Sequence, residues 1–170
     1  MSQDKTILLK LDRLLKGVEN FVLVTVIETW GSAPKPVGSM LIIDKLGQIF
    51  GSVSGGCVEG SVITEALDIL DSNECKLLTY SVSDGDAFQV GLACGGEIKI
   101  LLEPISKRNK IVIEKLQSFL AEYHNGNLVI YSINLTTFER HVIKASDEDF
   151  VNIPMEPLNK RVSFKLADYT

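Results

Sequence analysis

Apolar and polar residues follow two periods along the chain, one typical of helices and one typical of strands. Apolar residues recur every three to four positions around 7–15, 62–70 and 113–123, which predicts three amphipathic helices. Alternating or continuous apolar runs predict the strands 21–27, 39–44, 48–53, 76–82, 98–102, 128–134, 138–144 and 161–166. Because strands and helices alternate, we expect an α/β fold, with a mixed β-sheet flanked by helices in a single domain.

Irregular segments interrupt this pattern at defined places. Residues 28–39 hold two prolines and two glycines, which forbid regular structure there. The pattern weakens from Ala145, and residues 153–157 look like a connector. We therefore expect an α/β domain over residues 1–145, followed by a C-terminal connector and last strand over 146–170.

Composition and charge exclude several classes of protein. The 170 residues are 45% hydrophobic and 23% charged, as in a globular protein that can bury a core. No apolar run reaches the roughly 20 residues that a membrane span needs, and the N-terminus lacks a secretory signal, so we expect a cytoplasmic protein with no membrane partner. The net charge of −5 argues against a nucleic-acid partner, which would favour a basic stripe.

The three cysteines, Cys57, Cys75 and Cys94, form an odd set without CxxC spacing. Such a set is a poor disulfide framework and a poor structural zinc site, with only His124 and His141 to assist. We therefore expect no zinc, and we look for a chemical role for individual cysteines instead.

Two cysteines lie in glycine-rich loops. In the segment 51–60, the pair Gly55-Gly56 allows a tight turn, and Cys57 falls at or near the start of the following helix. A thiol at that position should lose its proton more easily than a free one and be a better nucleophile or metal ligand. Cys94 lies in a similar context, in the segment 91–96.

Three irregular blocks together resemble a known family. The blocks are Glu28-Thr29-Trp30-Gly31-Ser32-Ala33-Pro34-Lys35-Pro36-Val37-Gly38-Ser39-Met40, Gly51-Ser52-Val53-Ser54-Gly55-Gly56-Cys57-Val58-Glu59 and Gly91-Leu92-Ala93-Cys94-Gly95-Gly96. In order and spacing they are similar to the signature blocks of the N-terminal domain of the xanthine dehydrogenase accessory factor (XdhC/CoxI) family. The resemblance covers roughly residues 20–104. It implies a cytoplasmic protein that binds molybdenum cofactor (molybdopterin), protects it, assists exchange of an oxo ligand for sulfur and hands it to an apo molybdenum hydroxylase.

The sequence departs from the family pattern in two respects. Many members continue into a Rossmann-like second domain opened by a Gly-x-Gly-His-type turn, and no such turn occurs here. Position 35 is Lys where Arg is the more frequent residue, which keeps the charge but loses the bidentate fork.

The resemblance also suggests how the residues would share the cofactor. The amides of Gly55 and Gly56 could hold its phosphate ahead of the helix, with charge or hydrogen bonds from Lys35, Ser52 and Ser54. Gly95 and Gly96 would complete the cofactor-binding set in the second loop.

Soft molybdenum–sulfur chemistry suits a thiolate, for which Cys57 and Cys94 are the candidate contacts, and which of the two reaches the metal is left open. Trp30 could stack on the pterin ring. For Glu59 we expect a helix-dipole and capping role. Gly60, inside the predicted helix, suggests that backbone or ligand comes close.

Three functions remain compatible with these residues. The sequence favours a cofactor-insertion chaperone for a xanthine dehydrogenase-type hydroxylase over a catalyst. The alternatives are a thiol-dependent sulfur or group transferase, with Cys57 as its catalytic nucleophile, and a non-catalytic adaptor that binds the hydroxylase or a cysteine desulfurase. A homo-oligomer is compatible with each of them.

Overall fold

The computed structural model describes residues 3–17, 19–81, 96–144 and 161–165, the last at the level of the backbone. Over these ranges the helices are α1 (Gln3–Gly17), α2 (Glu59–Ile69) and α3 (Lys110–His124). The strands are β1 (Phe21–Trp30), β2 (Met40–Asp44), β3 (Ile49–Gly51), β4 (Lys76–Tyr80), β5 (Glu97–Ile105), β6 (Val129–Asn134), β7 (Arg140–Lys144) and β8 (Arg161–Lys165). The chain divides into two compact units, Met1–Asn109 and Lys110–Thr170.

The first unit is built on a five-stranded sheet with the strand order β3-β2-β1-β5-β4. Its central strand β1 begins with seven consecutive buried residues, Phe21 to Ile27, as expected for a strand buried on both faces. On one face, Val22 and Val24 belong to the same hydrophobic core as Val62 and Ala66 of α2. The helix α1 packs along β2 and β3.

The register of this sheet brings its irregular segments to one end. Trp30, the last residue of β1, lies opposite Glu97, the first residue of β5. Thr25 lies opposite Met40, the first residue of β2. The amide of Ser52, just after β3, donates to the carbonyl of Met40 at 3.2 Å. The segments that follow β1, follow β3 and precede β5 therefore leave the sheet at the same end.

The second unit has a three-stranded sheet with the order β7-β6-β8, and α3 packs on β6 and β7. One side of α3 is buried through Val112, Leu116 and Leu120, together with Phe119, whose ring lies 5.9 Å from that of Tyr131. The helix and strands that the sequence pattern predicts after Asn109 thus pack together around a second small core.

The structure confirms the α/β class and refines its details. All described pairings are antiparallel, whereas the sequence pattern predicts a mixed sheet. The compact units divide after Asn109, and the pairing of β8 with β6 lies within the second unit. No helix in the described ranges is both long and apolar enough to cross a membrane.

Candidate functional site

The three sequence blocks meet at one end of the first sheet, which we call the loop edge (residues 30–39, 52–58 and 96). The first and second blocks touch where Pro34 faces Gly55: a Cβ added to Gly55 would lie 3.9 Å from the Pro34 Cβ. The first and third blocks touch at Gly96, where a Cβ would lie 2.8 Å from the backbone nitrogen of Ala33 and 2.9 Å from the carbonyl oxygen of Trp30. Only a glycine at position 96 permits this approach without displacing backbone.

The second block forms a tight loop around the side chain of Glu59, the first residue of α2. One carboxylate oxygen accepts hydrogen bonds from the amides of Val53, at 3.2 Å, and Ser54, at 3.0 Å. The other oxygen accepts one from the amide of Gly56 at 2.8 Å. Positive φ angles at Gly55 (72°) and Gly56 (109°) make the turn that directs these amides inward.

Two serine hydroxyls complete the same network. The Ser52 hydroxyl donates to Glu59 at 2.7 Å and accepts a bond from the amide of Gly55 at 2.9 Å. The Ser54 hydroxyl also donates to Glu59, and it accepts a bond from the amide of Val58 at 3.0 Å. The loop and the start of α2 are thereby tied into one hydrogen-bonded unit.

This network sets the ionisation of Glu59. Burial of the side chain, which is 7% exposed, raises the pKa of the carboxyl group. Hydrogen bonds from the hydroxyls of Ser54 and Ser52, and from backbone amides, outweigh that effect and lower the pKa to about 2 from its ordinary 4.5. Glu59 is therefore a carboxylate at neutral pH.

The network also bears on the expected phosphate cradle. The amides of Gly55 and Gly56 already donate to Ser52 and Glu59, and the hydroxyls of Ser52 and Ser54 donate to the same carboxylate. A phosphate held by these groups would have to displace the side chain of Glu59. The sequence predicts a dipole and capping role for Glu59 but not its place at the centre of the loop, although its position directly after Gly-Gly-Cys-Val was the available signal.

Cys57 is an exposed free thiol on this loop. It precedes Val58, the N-cap residue, so it lies just before the helix and not within its first turn. Gly60, in that first turn, is exposed, and a Cβ there would meet nothing within 4 Å. No backbone of the described residues outside α2 lies against Gly60, and the expectation that a ligand comes close there stays a prediction.

Trp30 and Lys35 lie in the first block at the loop edge. The side chain of Trp30 is 76% exposed at the end of β1, which extends three residues beyond the predicted strand. Lys35 is half-buried in the loop that follows. Near the same end of the sheet, the Glu28 carboxylate and the Lys99 ammonium form an ion pair at 3.2 Å. The loop edge thus carries an exposed aromatic ring, Trp30, and the cationic side chain of Lys35.

The structure describes only some of the remaining predicted site residues. Cys94 and Gly95 lie outside the described residues, as does the predicted turn at 83–86. Cys75 is half-buried and lies away from the glycine loops in sequence. Among the described residues, no three His, Cys, Asp or Glu side chains are grouped so as to hold a metal ion.

The fold and the loop edge define a class of protein, an antiparallel α/β domain that exposes a cysteine on a glycine-rich loop. Residues 14–81 match the model of the XdhC and CoxI family, which confirms the resemblance seen in the sequence.

Two curated relatives carry informative names. The chain is 29% identical over 150 residues to a probable xanthine dehydrogenase subunit of Bacillus subtilis, and the match covers 87% of this chain and 44% of the relative. It is 34% identical over 94 residues to the molybdenum cofactor insertion chaperone PaoD of Escherichia coli, and that match covers 55% of this chain and 29% of PaoD. The chain thus spans less than half the length of these relatives.

A solved structure shares the fold. The crystal structure of a xanthine dehydrogenase from Bacillus halodurans superposes with a TM-score of 0.69 and 22% sequence identity, covering all of this chain and 46% of that one. At this identity the match is evidence for the fold alone.

Proposed function

We propose that this protein is a molybdenum-cofactor-binding accessory protein, a chaperone for a xanthine dehydrogenase-type molybdenum hydroxylase. Its cargo is the cofactor, which it protects, presents for sulfuration and delivers to the apo hydroxylase. The match of residues 14–81 to the XdhC and CoxI family model and the likeness to PaoD support the proposal. The single structural observation that carries it is the exposed Cys57 thiol, held on a loop that is hydrogen-bonded to the start of α2.

The residues at the loop edge fit such a cargo. When bound, the cofactor would supply a molybdenum–dithiolene centre, which a cysteine sulfur can approach as a soft ligand. We assign that contact to Cys57, with Cys94 as a second candidate. The exposed ring of Trp30 is suited to stack on the pterin, and Lys35 to attract the phosphate. The loop is shaped by Gly55, Gly56, Ser52 and Ser54. Gly96 lets the third block approach the backbone of the first block.

The partners follow from this role. The cofactor must pass from its source to the apo hydroxylase, so we propose the hydroxylase as the receiving partner and a cysteine desulfurase as a sulfur donor. We keep the cytoplasm as the compartment, where Cys57 and Cys75 would remain reduced.

A delivery assay tests the proposal. The protein is loaded with cofactor, freed of excess and mixed with apo hydroxylase, and the hydroxylase activity that appears is followed in time. Wild type should restore activity faster than free cofactor does. The Cys57→Ala variant should restore it no faster than free cofactor, while Cys75→Ala should behave as wild type. Equal delivery by wild type and Cys57→Ala would remove Cys57 from the mechanism.

The transferase alternative is supported by the same exposed thiol at the start of a helix. It requires the Cys57 thiolate to attack the outer sulfur of a persulfide on the desulfurase, so that the sulfur–sulfur bond of the donor breaks and its cysteine leaves as a thiolate. Mass spectrometry after incubation with desulfurase and cysteine would show one added sulfur on Cys57. Efficient delivery of cofactor without that adduct would favour the chaperone over the transferase.

A further inference from the structure

Glycine-rich loops ahead of helices often point several backbone amides at one spot and bind an anion there. The loop 52–58 has this geometry, with the amides of Val53, Ser54 and Gly56 converging on the Glu59 carboxylate. The spot where an external anion would bind is therefore filled by a side chain of the same chain.

The fit of this carboxylate is close on both of its oxygens. Three amides and two hydroxyls donate to it, from four residues within seven positions of Glu59. Hydrogen bonds of this kind to a charged acceptor are roughly twice as strong as neutral ones. The side chain is also shielded from water, with 7% exposure, so solvent competes little for these donors.

The same arrangement leaves Cys57 facing outward. Cys57 lies between Gly56, whose amide binds Glu59, and Val58, whose amide binds the Ser54 hydroxyl. Both neighbours of the cysteine are thus tied to the network, while Cys57 itself is exposed. The conformation of the exposed sulfur depends on the group that occupies the centre of the loop.

We propose that Glu59 is a positioning residue. Its carboxylate fills the amide nest, which is the site formed by the amides of Val53, Ser54 and Gly56. The loop therefore presents the Cys57 sulfur to a ligand, and its amides are not available. The phosphate of a ligand is accordingly bound elsewhere on the loop edge. The identity of that ligand rests on the proposed function, but the state of the loop does not.

Chemical rescue tests the proposal directly on the full chain. Removing the carboxylate in Glu59→Ala leaves a nest that fits a small carboxylate. We expect the amides of Ser54 and Gly56 to exchange hydrogen at least about tenfold faster than in wild type. Added acetate should restore slow exchange, whereas acetamide, which has the same shape without the charge, should not.

Two further measurements test whether the amide nest can bind phosphate and whether it affects cofactor binding. Inorganic phosphate should leave the Ser54 and Gly56 amide resonances of wild type unchanged and should shift them in Glu59→Ala. Cofactor affinity should fall about tenfold in Glu59→Ala, although Cys57 is present, and acetate should recover it.

The matched control is Glu65→Ala on the same helix, where the lost carboxylate pairs with the Lys76 ammonium and not with amides. This variant should keep slow exchange in the loop and show no response to acetate. If Glu59→Ala does not fold, Glu59→Gln replaces it, because its NH₂ group cannot accept the bond from one side of the nest.

Unchanged exchange of both amides in Glu59→Gln, or exchange in Glu59→Ala that acetate does not slow, would overturn the proposal. Acetate rescue in Glu59→Ala, together with no cofactor binding by wild type, would instead contradict the proposed function and leave the inference on Glu59 standing.

Discussion

Ser54 donates twice to the carboxylate of Glu59, once from its backbone amide at 3.0 Å and once from its hydroxyl. This double contact spans five residues and closes the loop that carries Cys57. Because the donors on Ser54 are both turned inward, the loop keeps its shape without a ligand. The function proposed for this protein depends on that preformed loop, and the following predictions test its parts.

The first prediction concerns pH. The pKa of Glu59 is lowered to about 2 in the folded protein from 4.5, so its ionised form stabilises the fold. This contribution is fully present above about pH 4.5 and is lost as the pH falls through the folded pKa of about 2. The free energy of unfolding should therefore fall more steeply in this range for wild type than for Glu59→Gln. Parallel profiles of the two proteins would contradict the network.

The second prediction concerns the approach between the first and third blocks. Gly96→Ala should destabilise the fold by about 1–3 kcal/mol, because its Cβ would lie 2.8 Å from the Ala33 nitrogen. Gly60→Ala, where a Cβ meets nothing within 4 Å, should be neutral or stabilise by up to about 1 kcal/mol. Urea unfolding of both variants measures the difference. Equal stability would mean that the blocks do not meet at Gly96.

The third prediction separates folding from binding at Gly60. If the ligand contacts α2 at the exposed Gly60, the methyl group of Gly60→Ala should weaken cofactor binding even though the fold is no less stable. A titration of this variant beside wild type provides the measurement. Unchanged affinity would place the ligand on another side of the cysteine.

The fourth prediction concerns Trp30, whose side chain is 76% exposed. Trp30→Ala should change the free energy of unfolding by less than about 0.5 kcal/mol, because little contact is lost. Cofactor affinity should fall about tenfold if the ring stacks on the pterin, and Trp30→Phe should retain most of it. An affinity unaffected by Trp30→Ala would show that the exposed ring has another role.

The sequence predicted secondary structure well wherever apolar residues recur at a regular spacing. Every helix and strand predicted within the described residues is present. The pattern was clearest where burial is most complete, as in the continuous apolar run of β1 from Phe21 to Ile27. The sequence pattern ends β1 too early, before Glu28, because a polar residue there does not look like a strand. Pairing of Thr29 and Trp30 with β5 extends the strand, and pairing is not visible in a local pattern.

The site was predictable in its residue types but not in its internal contacts. The glycine pair and Cys57 stood out because their combination is unusual. The role of Glu59 did not, since an acidic residue at the start of a helix has an ordinary explanation in the helix dipole. Its hydrogen bonds to Val53 and Gly56 depend on the curvature of the loop, which single residues do not reveal.

The most direct measurement is the affinity of the protein for molybdenum cofactor, followed through the fluorescence of its single tryptophan, Trp30. Wild type and Cys75→Ser should bind with equal affinity and quench the signal. Cys57→Ser, which changes one exposed atom and should keep the stability of wild type, should bind at least about tenfold more weakly. Equal binding by wild type and Cys57→Ser, or no binding by wild type, would contradict the central claim.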